Sequence, residues 1–457
     1  MEIVTNIFSF ALIILFFGGS IFIHELGHFL AAKKRGLEIL RFSVGFGPKL
    51  FSWERDGIEY RLSMIPFGGY VALPQLADMG QLEGGDKEAK PLPSLSFTDK
   101  FIVSIMGPVF NVIFAFVLSM ALWGIGKDEV SQERTTQVGY MSTEIELMDG
   151  SIVPGPAYEA GLQVGDKILT IDGEPVTNWM EIQYIVLTGT GRTDDNKPLT
   201  IFSVARTTPA GTETIDIPIH PIINTEEQIR QIQIWPAAKI LVGELQKDRP
   251  GEKAGILVGD RIHALDGNLV YTINYMHKYL NDHQKSAINV TIEREGALQD
   301  FPITPIIHTF EDGSTQALIG VGIEYEKKKV HYTPIQELSK MMTMMQQTIT
   351  ALFHKDSNVN IRNMSGPIGI MHSSYLSFQL GFYQFLWLIT FININLAILN
   401  LMPFPVLDGG HILFAFLTKL RGKPLPVRFI ELSNGIFVVF LISVMLYVTY
   451  RDIFRLI

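Results

Sequence analysis

Between Phe8 and Ile23 the chain reads FSFALIILFFGGSIFI, polar only at Ser9 and Ser20, and it runs straight into His24-Glu25-Leu26-Gly27-His28. An apolar run of this length reads as a membrane-crossing helix, because a helix closes its own backbone hydrogen bonds in hydrocarbon. Residues four apart share one helical face, so the two histidines offer two imidazoles to one Zn²⁺. Glu25 then stands where a general base takes a proton from an attacking water. His-Glu-x-x-His also occurs by chance in ordinary helices; at the end of a membrane-length apolar segment it constrains far more. An ionisable side chain at the bilayer centre costs ~2.5–3.5 kcal/mol on insertion scales, so three close together call for a function.

Composition narrows the classes that can carry this motif. The 457 residues suffice for two or three domains. A net charge of -9 with no long basic run argues against a nucleic-acid partner. There is no cysteine, which excludes a Cys-ligated zinc site, a thiol nucleophile and a disulfide framework. Four segments are long and apolar enough to span a bilayer, at roughly 5–30, 99–125, 378–402 and 430–450. The first has no basic residue before its apolar core and no Ala-x-Ala site before His24, so it reads as a retained span and not a cleaved leader. Lys33, Lys34, Arg35, Arg41 and Lys49 follow the first span, and Lys419, Arg421, Lys423 and Arg428 fill the connection between the third and fourth. Both connections are therefore expected in the cytoplasm and the long 126–377 region outside it, with Arg451 and Arg455 running against the charge rule.

The outer region holds an internal repeat. Pro156 to Gly173 (PAYEAGLQVGDKILTIDG) aligns without gaps to Pro250 to Gly267 (PGEKAGILVGDRIHALDG), and half of the positions are identical. Each copy reads as a short helix, a Gly-Asp turn, a strand and an Asp-Gly turn. The pattern resembles PDZ domains, which take an extended peptide as an added strand on a sheet edge. Two such α+β units are expected over 126–225 and 226–328, either with working grooves or as spacers. In the first connection, Leu37 to Leu73 reads as about four short strands, with Asp56-Gly57 as a hairpin turn. Met79 to Lys90 is Gly- and charge-rich and is expected to be mobile. Pro334 to Phe353 is an amphipathic, Met-rich helix that either packs on the repeat pair or lies along the outer membrane surface.

Two histidines leave a catalytic zinc short of its usual three protein ligands. Lys33 follows His28 by five positions, roughly 7–8 Å of helix, so the third ligand belongs near the cytoplasmic face. The third span runs inward and ends at Asn400-Leu-Met-Pro-Phe-Pro-Val-Leu-Asp408-Gly-Gly-His411, which delivers Asp408 to that depth. Pro403 and Pro405 stop the helix, and Gly409-Gly410 permit a tight turn. His411 is the adjacent alternative, as a ligand or as packing.

The motif of the first span, Gly107-Pro108-x-x-Asn111 in the second and Asn400-x-x-Pro403-x-x-x-x-Asp408-Gly409 later together resemble the site-2 protease family. With the tandem repeat, essentially the whole chain resembles its RseP-like branch of bacterial intramembrane zinc metalloproteases. The resemblance implies a polytopic α-helical membrane protein with four transmembrane helices (1–32, 97–125, 378–402 and 430–450). Around them it implies a small membrane-associated β-sheet in a cytoplasmic loop (33–96), two extracytoplasmic α+β PDZ-like domains, an amphipathic segment (329–377) and a cytoplasmic connection (403–429). It further implies Zn²⁺ held by His24, His28 and Asp408, Glu25 as catalytic base, and Asn395 and Asn400 at the substrate backbone. The two asparagines are five apart, about 140° on a helix, so presenting both needs local unwinding before Pro403. Gly107-Pro108 otherwise only kinks its span, with Asn111 bonded across helices. The implied partners are membrane lipids and single-span membrane proteins, namely anti-sigma factors already cut outside by another protease and remnant signal peptides. The implied setting is the bacterial inner membrane, with the PDZ pair periplasmic and the active site toward the cytoplasm. A membrane scaffold with a vestigial metal site and a zinc carrier are the rival readings; the intact motif and the siding of Asp408 argue against both.

Overall fold

Among the described residues, four helices are long and apolar enough to cross a membrane: Phe10–Lys34, Phe97–Ile125, Phe382–Leu401 and Val427–Leu456. The structure, a computed structural model, describes residues 2–74, 95–223, 228–310 and 313–456, so the stretch Met79 to Lys90 lies outside the described residues. The chain divides into two units. One comprises Met1–Lys127, His331–Gln346 and Ile361–Ile457; the other comprises Asp128–Val330 and Gln347–Asn360.

In the first unit, α1 (Glu2–Lys34) carries the two histidines and ends in Lys33 and Lys34, which suit the negative end of a helix. The sheet strands β1 (Arg41–Arg55) and β2 (Ile58–Ala72) follow. Their turn residues Asp56 and Gly57 have φ of 53° and 76°, the left-handed pair a two-residue hairpin needs. The four expected strand segments are two continuous strands bent on themselves: Arg41–Val44 pairs with Gly69–Ala72 on one side and with Glu59–Leu62 on the other. Phe42, Ile58, Val71 and Leu73 of this sheet share a core with Phe29 and Ala32 of α1.

Helix α2 (Phe97–Ile125) starts at Ser96, whose hydroxyl accepts the Asp99 N–H at 3.1 Å. Arg35 Nε donates to Asp99 at 2.6 Å and ties that first turn to the end of α1. The two helices meet at glycines. A Cβ on Gly27 would lie 2.2 Å from the Met106 carbonyl oxygen, and one on Gly107 2.3 Å from His28 Nε2. Small residues at a crossing let backbones approach closely, which is how helices associate where lipid supplies no hydrophobic drive.

The remaining helices of this unit depart from the sequence expectation in two places. After α3 (Pro334–Phe353) come α4 (Pro367–Leu380) and α5 (Phe382–Leu401), separated at Gly381 with φ 135°, so the span expected at 378–402 begins inside α4. The connection expected at 403–429 contains a 14-residue helix, α6 (Asp408–Arg421). Gly409 and Gly410 lie in its first turn, where Cβ atoms would sit 2.3 Å from the Met402 carbonyl oxygen and 2.1 Å from that of Phe404. Glycine is needed there because the helix starts hard against the chain that leads into it. Buried Glu337 of α3 accepts hydrogen bonds from Tyr383 Oη at 3.1 Å and Trp387 Nε1 at 3.2 Å on α5. The last helix, α7 (Val427–Leu456), buries little of its apolar length. Near its end, buried Asp452 accepts the Gly369 N–H at 2.7 Å in the first turn of α4. Arg455 lies 3.8 Å from Asp452 and donates to the Met364 carbonyl at 3.2 Å. One of the two arginines at odds with the charge rule is thus satisfied within the protein.

The second unit repeats itself. Lys167–Ile171, Glu174–Pro175 and the helix Trp179–Thr188 recur as Arg261–Leu265, Asn268–Leu269 and Ile273–Asp282, each 94 residues later. The Gly-Asp of each copy ends in the same ion pair. Arg206 donates twice to Asp166, at 2.8 and 2.6 Å, and Arg294 donates twice to Asp260, both at 2.7 Å. Each guanidinium also donates at 2.9 Å to a carbonyl, that of Gly161 or Gly255. Bidentate pairs of this kind fix geometry as well as charge. The first copy extends past the boundary expected at 225, because Ile234–Pro236 returns to pair with Val138–Met141. A groove of about 280 Å³ lies between its helix Trp179–Thr188 and the segment Arg230–Trp235.

Candidate metal centre

His24 and His28 stand one turn apart on α1, and Asp408 opens α6. They form the one group of three or more metal-ligating side chains in reach of each other among the described residues. His24 Nε2 lies 3.2 Å from His28 Nε2; Asp408 Oδ2 lies 3.3 Å from His24 Nε2 and Oδ1 lies 3.3 Å from His28 Nε2. Bonds of roughly 2.0–2.1 Å at tetrahedral angles put two ligands of one zinc about 3.3 Å apart, so this triangle has the size of one face of a zinc tetrahedron.

The surroundings fix which nitrogens are available. The Val103 carbonyl accepts from His28 Nδ1 at 2.8 Å, leaving the Nε2 lone pair free for a metal. His24 Nδ1 meets the Asn111 side-chain amide at 3.2 Å. With Asn111 Oδ1, which has no other partner, turned to accept the Nδ1–H, His24 takes the same tautomer. Two imidazole lone pairs and a carboxylate, on residues only 8%, 2% and 7% exposed, then converge with no donor among them. A bound cation relieves that arrangement. The residues present fit zinc.

Backbone geometry delivers Asp408. Helix α5 ends at Leu401, and Pro403 and Pro405 keep the residues before them out of the helical region. Val406 has φ 77°, an unfavourable value for a β-branched residue, of the kind that surrounding structure must hold in place. Asp408 then sits in the first turn of α6, where the helix dipole favours a carboxylate.

Glu25 follows His24 by about 100° around α1 and points toward the sheet instead of α2. A Cβ on Gly69 of β2 would lie 2.9 Å from Glu25 Cγ. Asn400 Nδ2 lies 3.4 Å from His24 Nε2, so the structure brings Asn400 to the triangle. It does not bring Asn395 there. Helix α5 stays regular to Leu401, without the unwinding that presenting both requires, and among the described residues no contact joins Asn395 to the histidines. His411 is buried on α6 and lies outside the donor triangle. Sequence reasoning missed Asn393, which is fully buried and donates to Ser20 Oγ at 2.9 Å, joining α5 to α1. Its signal was an asparagine within an apolar run.

Asn111 acts on the metal through His24, so Asn111→Ala is expected to weaken zinc binding about 10–100-fold, the usual effect of removing such a partner. Chelator competition on the purified variant measures this. Wild-type retention would mean that His24 needs no orienting group.

The chain matches the model of Peptidase family M50 over residues 12–444. It is 29% identical to the regulator of sigma E protease of Haemophilus influenzae, over 95% of this chain and 96% of that one. To the regulator of sigma-E protease RseP of Salmonella typhimurium it is 28% identical, over 98% and 99%. To a Pasteurella multocida protein named as a zinc metalloprotease it is 27% identical, also over 98% and 99%. Among solved structures, the PDZ domain of an SdrC-like protein of Listeria innocua matches 21% of this chain and 99% of its own, at 19% identity and a TM-score of 0.17. With a family match across nearly its whole length, the chain belongs to peptidase family M50, and it is a membrane zinc metalloprotease of the site-2 protease type.

Proposed function

We propose that the protein hydrolyses peptide bonds within the transmembrane segments of single-span membrane proteins. The address of the donor triangle carries this reading: His24 and His28 belong to a membrane-length helix, and Asp408 follows the end of another. Bound by His24, His28 and Asp408, zinc supplies Lewis acidity toward the scissile carbonyl and toward water. Glu25 takes the proton from the attacking water and passes it to the leaving amine. Asn400 is placed to hold the substrate backbone beside His24; Asn395 keeps that role only if α5 unwinds when substrate enters.

A substrate helix hides its carbonyls in its own hydrogen bonds and must unwind before attack. The sheet that touches Glu25 at Gly69 supports a way to hold the unwound segment, as an added strand on a free edge. Proline at successive edge positions, in variants that stay folded and zinc-loaded, is expected to slow cleavage. Full activity throughout the series would end that idea.

The active site faces the cytoplasm of a bacterial inner membrane, and the PDZ-like pair lies in the periplasm, where it restrains access by substrates with bulky outer domains. The relatives named for regulation of sigma E support an anti-sigma factor, already cut outside, as the substrate, with remnant signal peptides as a second class. The groove in the first copy supports capture of a peptide end there. The test is reconstitution with a tagged single-span substrate, with and without its outer domain, using wild type, Glu25→Gln and a deletion of 130–325. Wild type is expected to favour the trimmed substrate, and the deletion is expected to cut both forms alike. Selectivity that survives the deletion would place the gate elsewhere.

A further inference from the structure

The second unit takes in a piece of chain from beyond the repeats: Gln347–Asn360 joins Asp128–Val330 in it. Two arginines of the first copy hold this strap. Arg192 Nε donates to the Asp356 carbonyl at 2.9 Å, and Arg230 Nη2 donates to the same oxygen at 3.4 Å. Asn358 Oδ1 also accepts from both, from Arg230 Nε at 3.1 Å and from Arg192 Nη2 at 3.3 Å. Nearer the start of the strap, the Thr348 hydroxyl bonds to that of Tyr184 on the helix Trp179–Thr188. Arg230 is only 2% exposed and is braced from behind by the carbonyls of Gly191 at 3.0 Å and Leu199 at 3.3 Å. All of these guanidinium acceptors are neutral oxygens. Burial, with Arg192 alongside, pulls the pKa of Arg230 down to about 10. Like charges brought together weaken the clamp, so it can open without unfolding the copy that carries it.

The repeats leave and rejoin the chain of the first unit at Lys127–Asp128 and Val330–His331. These two crossings run in strands that pair with each other, Lys127–Val130 and Lys327–Val330. Two crossings at one place make a hinge, and units joined by a hinge move relative to each other unless something else ties them. The strap is that second tie. Past Asn360 its chain runs on into α4 and then α5, which carries Asn400. We propose that Arg192 and Arg230 are specificity-determining residues: closed on the strap, they keep the repeat pair from swinging aside and so sustain the rejection of substrates with bulky outer domains. This rests on the reading above that the repeat pair restrains access. Neither arginine touches substrate; both act through Asp356 and Asn358.

Asn358→Leu removes the shared acceptor from the strap and leaves both arginines and the first copy in place. The full-length protein in bilayers is read by hydrogen exchange over 347–360, by zinc content, and by cleavage of a tagged single-span substrate with and without its outer domain. Exchange of the strap amides is expected to quicken about tenfold and the preference for the trimmed substrate to fall about tenfold, the lower end of what a hydrogen bond to a charged group contributes. Zinc content and cleavage of the trimmed substrate should stay at the wild-type level. Because the chain has no cysteine, Tyr184→Cys and Thr348→Cys added to Asn358→Leu can be joined selectively by a short bis-maleimide. Closing that link should restore the preference, a rescue that a merely stabilising role for the clamp does not provide. Unchanged strap exchange in Asn358→Leu would overturn the proposal. So would a preference that persists despite fast exchange, or one that the link does not restore. Deleting 130–325 separates the two levels: a preference lost in the deletion but kept in Asn358→Leu sinks the clamp alone, while one that survives the deletion sinks the access reading and the clamp with it.

Discussion

Glu25→Gln is expected to lower cleavage of a single-span reporter by about 10²–10⁴-fold while the protein keeps its wild-type zinc content, the span typical of removing a general base. Two features of the site separate these readouts. The donor triangle is closed by His24, His28 and Asp408 without Glu25. The Glu25 side chain rests against Gly69 through its aliphatic stem, which glutamine retains. The substitution therefore removes an acceptor for a proton and little else. Zinc is measured on the purified protein and cleavage on the same sample in bilayers. Normal zinc with an unchanged rate would remove Glu25 from proton transfer. Loss of zinc together with activity would make it a structural part of the site.

Spacing and sidedness alone bring His24, Glu25, His28 and Asp408 forward as candidates, with His411 left beside Asp408 as the alternative. Two histidines four apart need only helical periodicity, and Asp408 needs only the count of spans and the placement of lysines and arginines. Packing decides the parts that sequence hid. Gly409 and Gly410 read as a turn because glycine costs a helix interior about 1 kcal/mol relative to alanine. They sit in a helix because no side chain fits beneath the carbonyls of Met402 and Phe404. Asn395 and Asn400 look alike in sequence, and only a regular α5 separates the one beside His24 from the one that is not. The strand Ile234–Pro236 lies past the boundary expected at 225 and joins the first copy only through its pairing with Val138–Met141, a long-range contact that no local pattern announces. The Asp166–Arg206 pair was equally hidden, since its arginine lies outside the aligned motif and only the fold brings it back.

Gly107→Ala is expected to empty the metal site of a protein that otherwise folds normally. Alanine usually suits a helix better than glycine, by about 1 kcal/mol, but Gly107 precedes Pro108 inside α2, where a Cβ also crowds the proline ring, so the two effects on α2 oppose each other. The added methyl would lie 2.3 Å from His28 Nε2, 2.7 Å from His28 Cε1 and 2.8 Å from His24 Cε1, on the atoms that must converge. Neither simple escape is open. Helix α1 is already at contact distance, since a Cβ on Gly27 would meet the Met106 carbonyl oxygen at 2.2 Å. The His28 ring cannot turn without giving up its 2.8 Å bond to the Val103 carbonyl. The imidazoles are therefore expected to separate, weakening zinc binding at least about 100-fold, at the upper end of what lost ligand orientation costs. Gly124→Ala on the same helix is the matched control, because its Cβ would meet nothing within 4 Å. It should keep both zinc and cleavage. Stoichiometric zinc in Gly107→Ala would show that the His28 ring does not rest on α2, and the tautomer assigned through Val103 would fall with it.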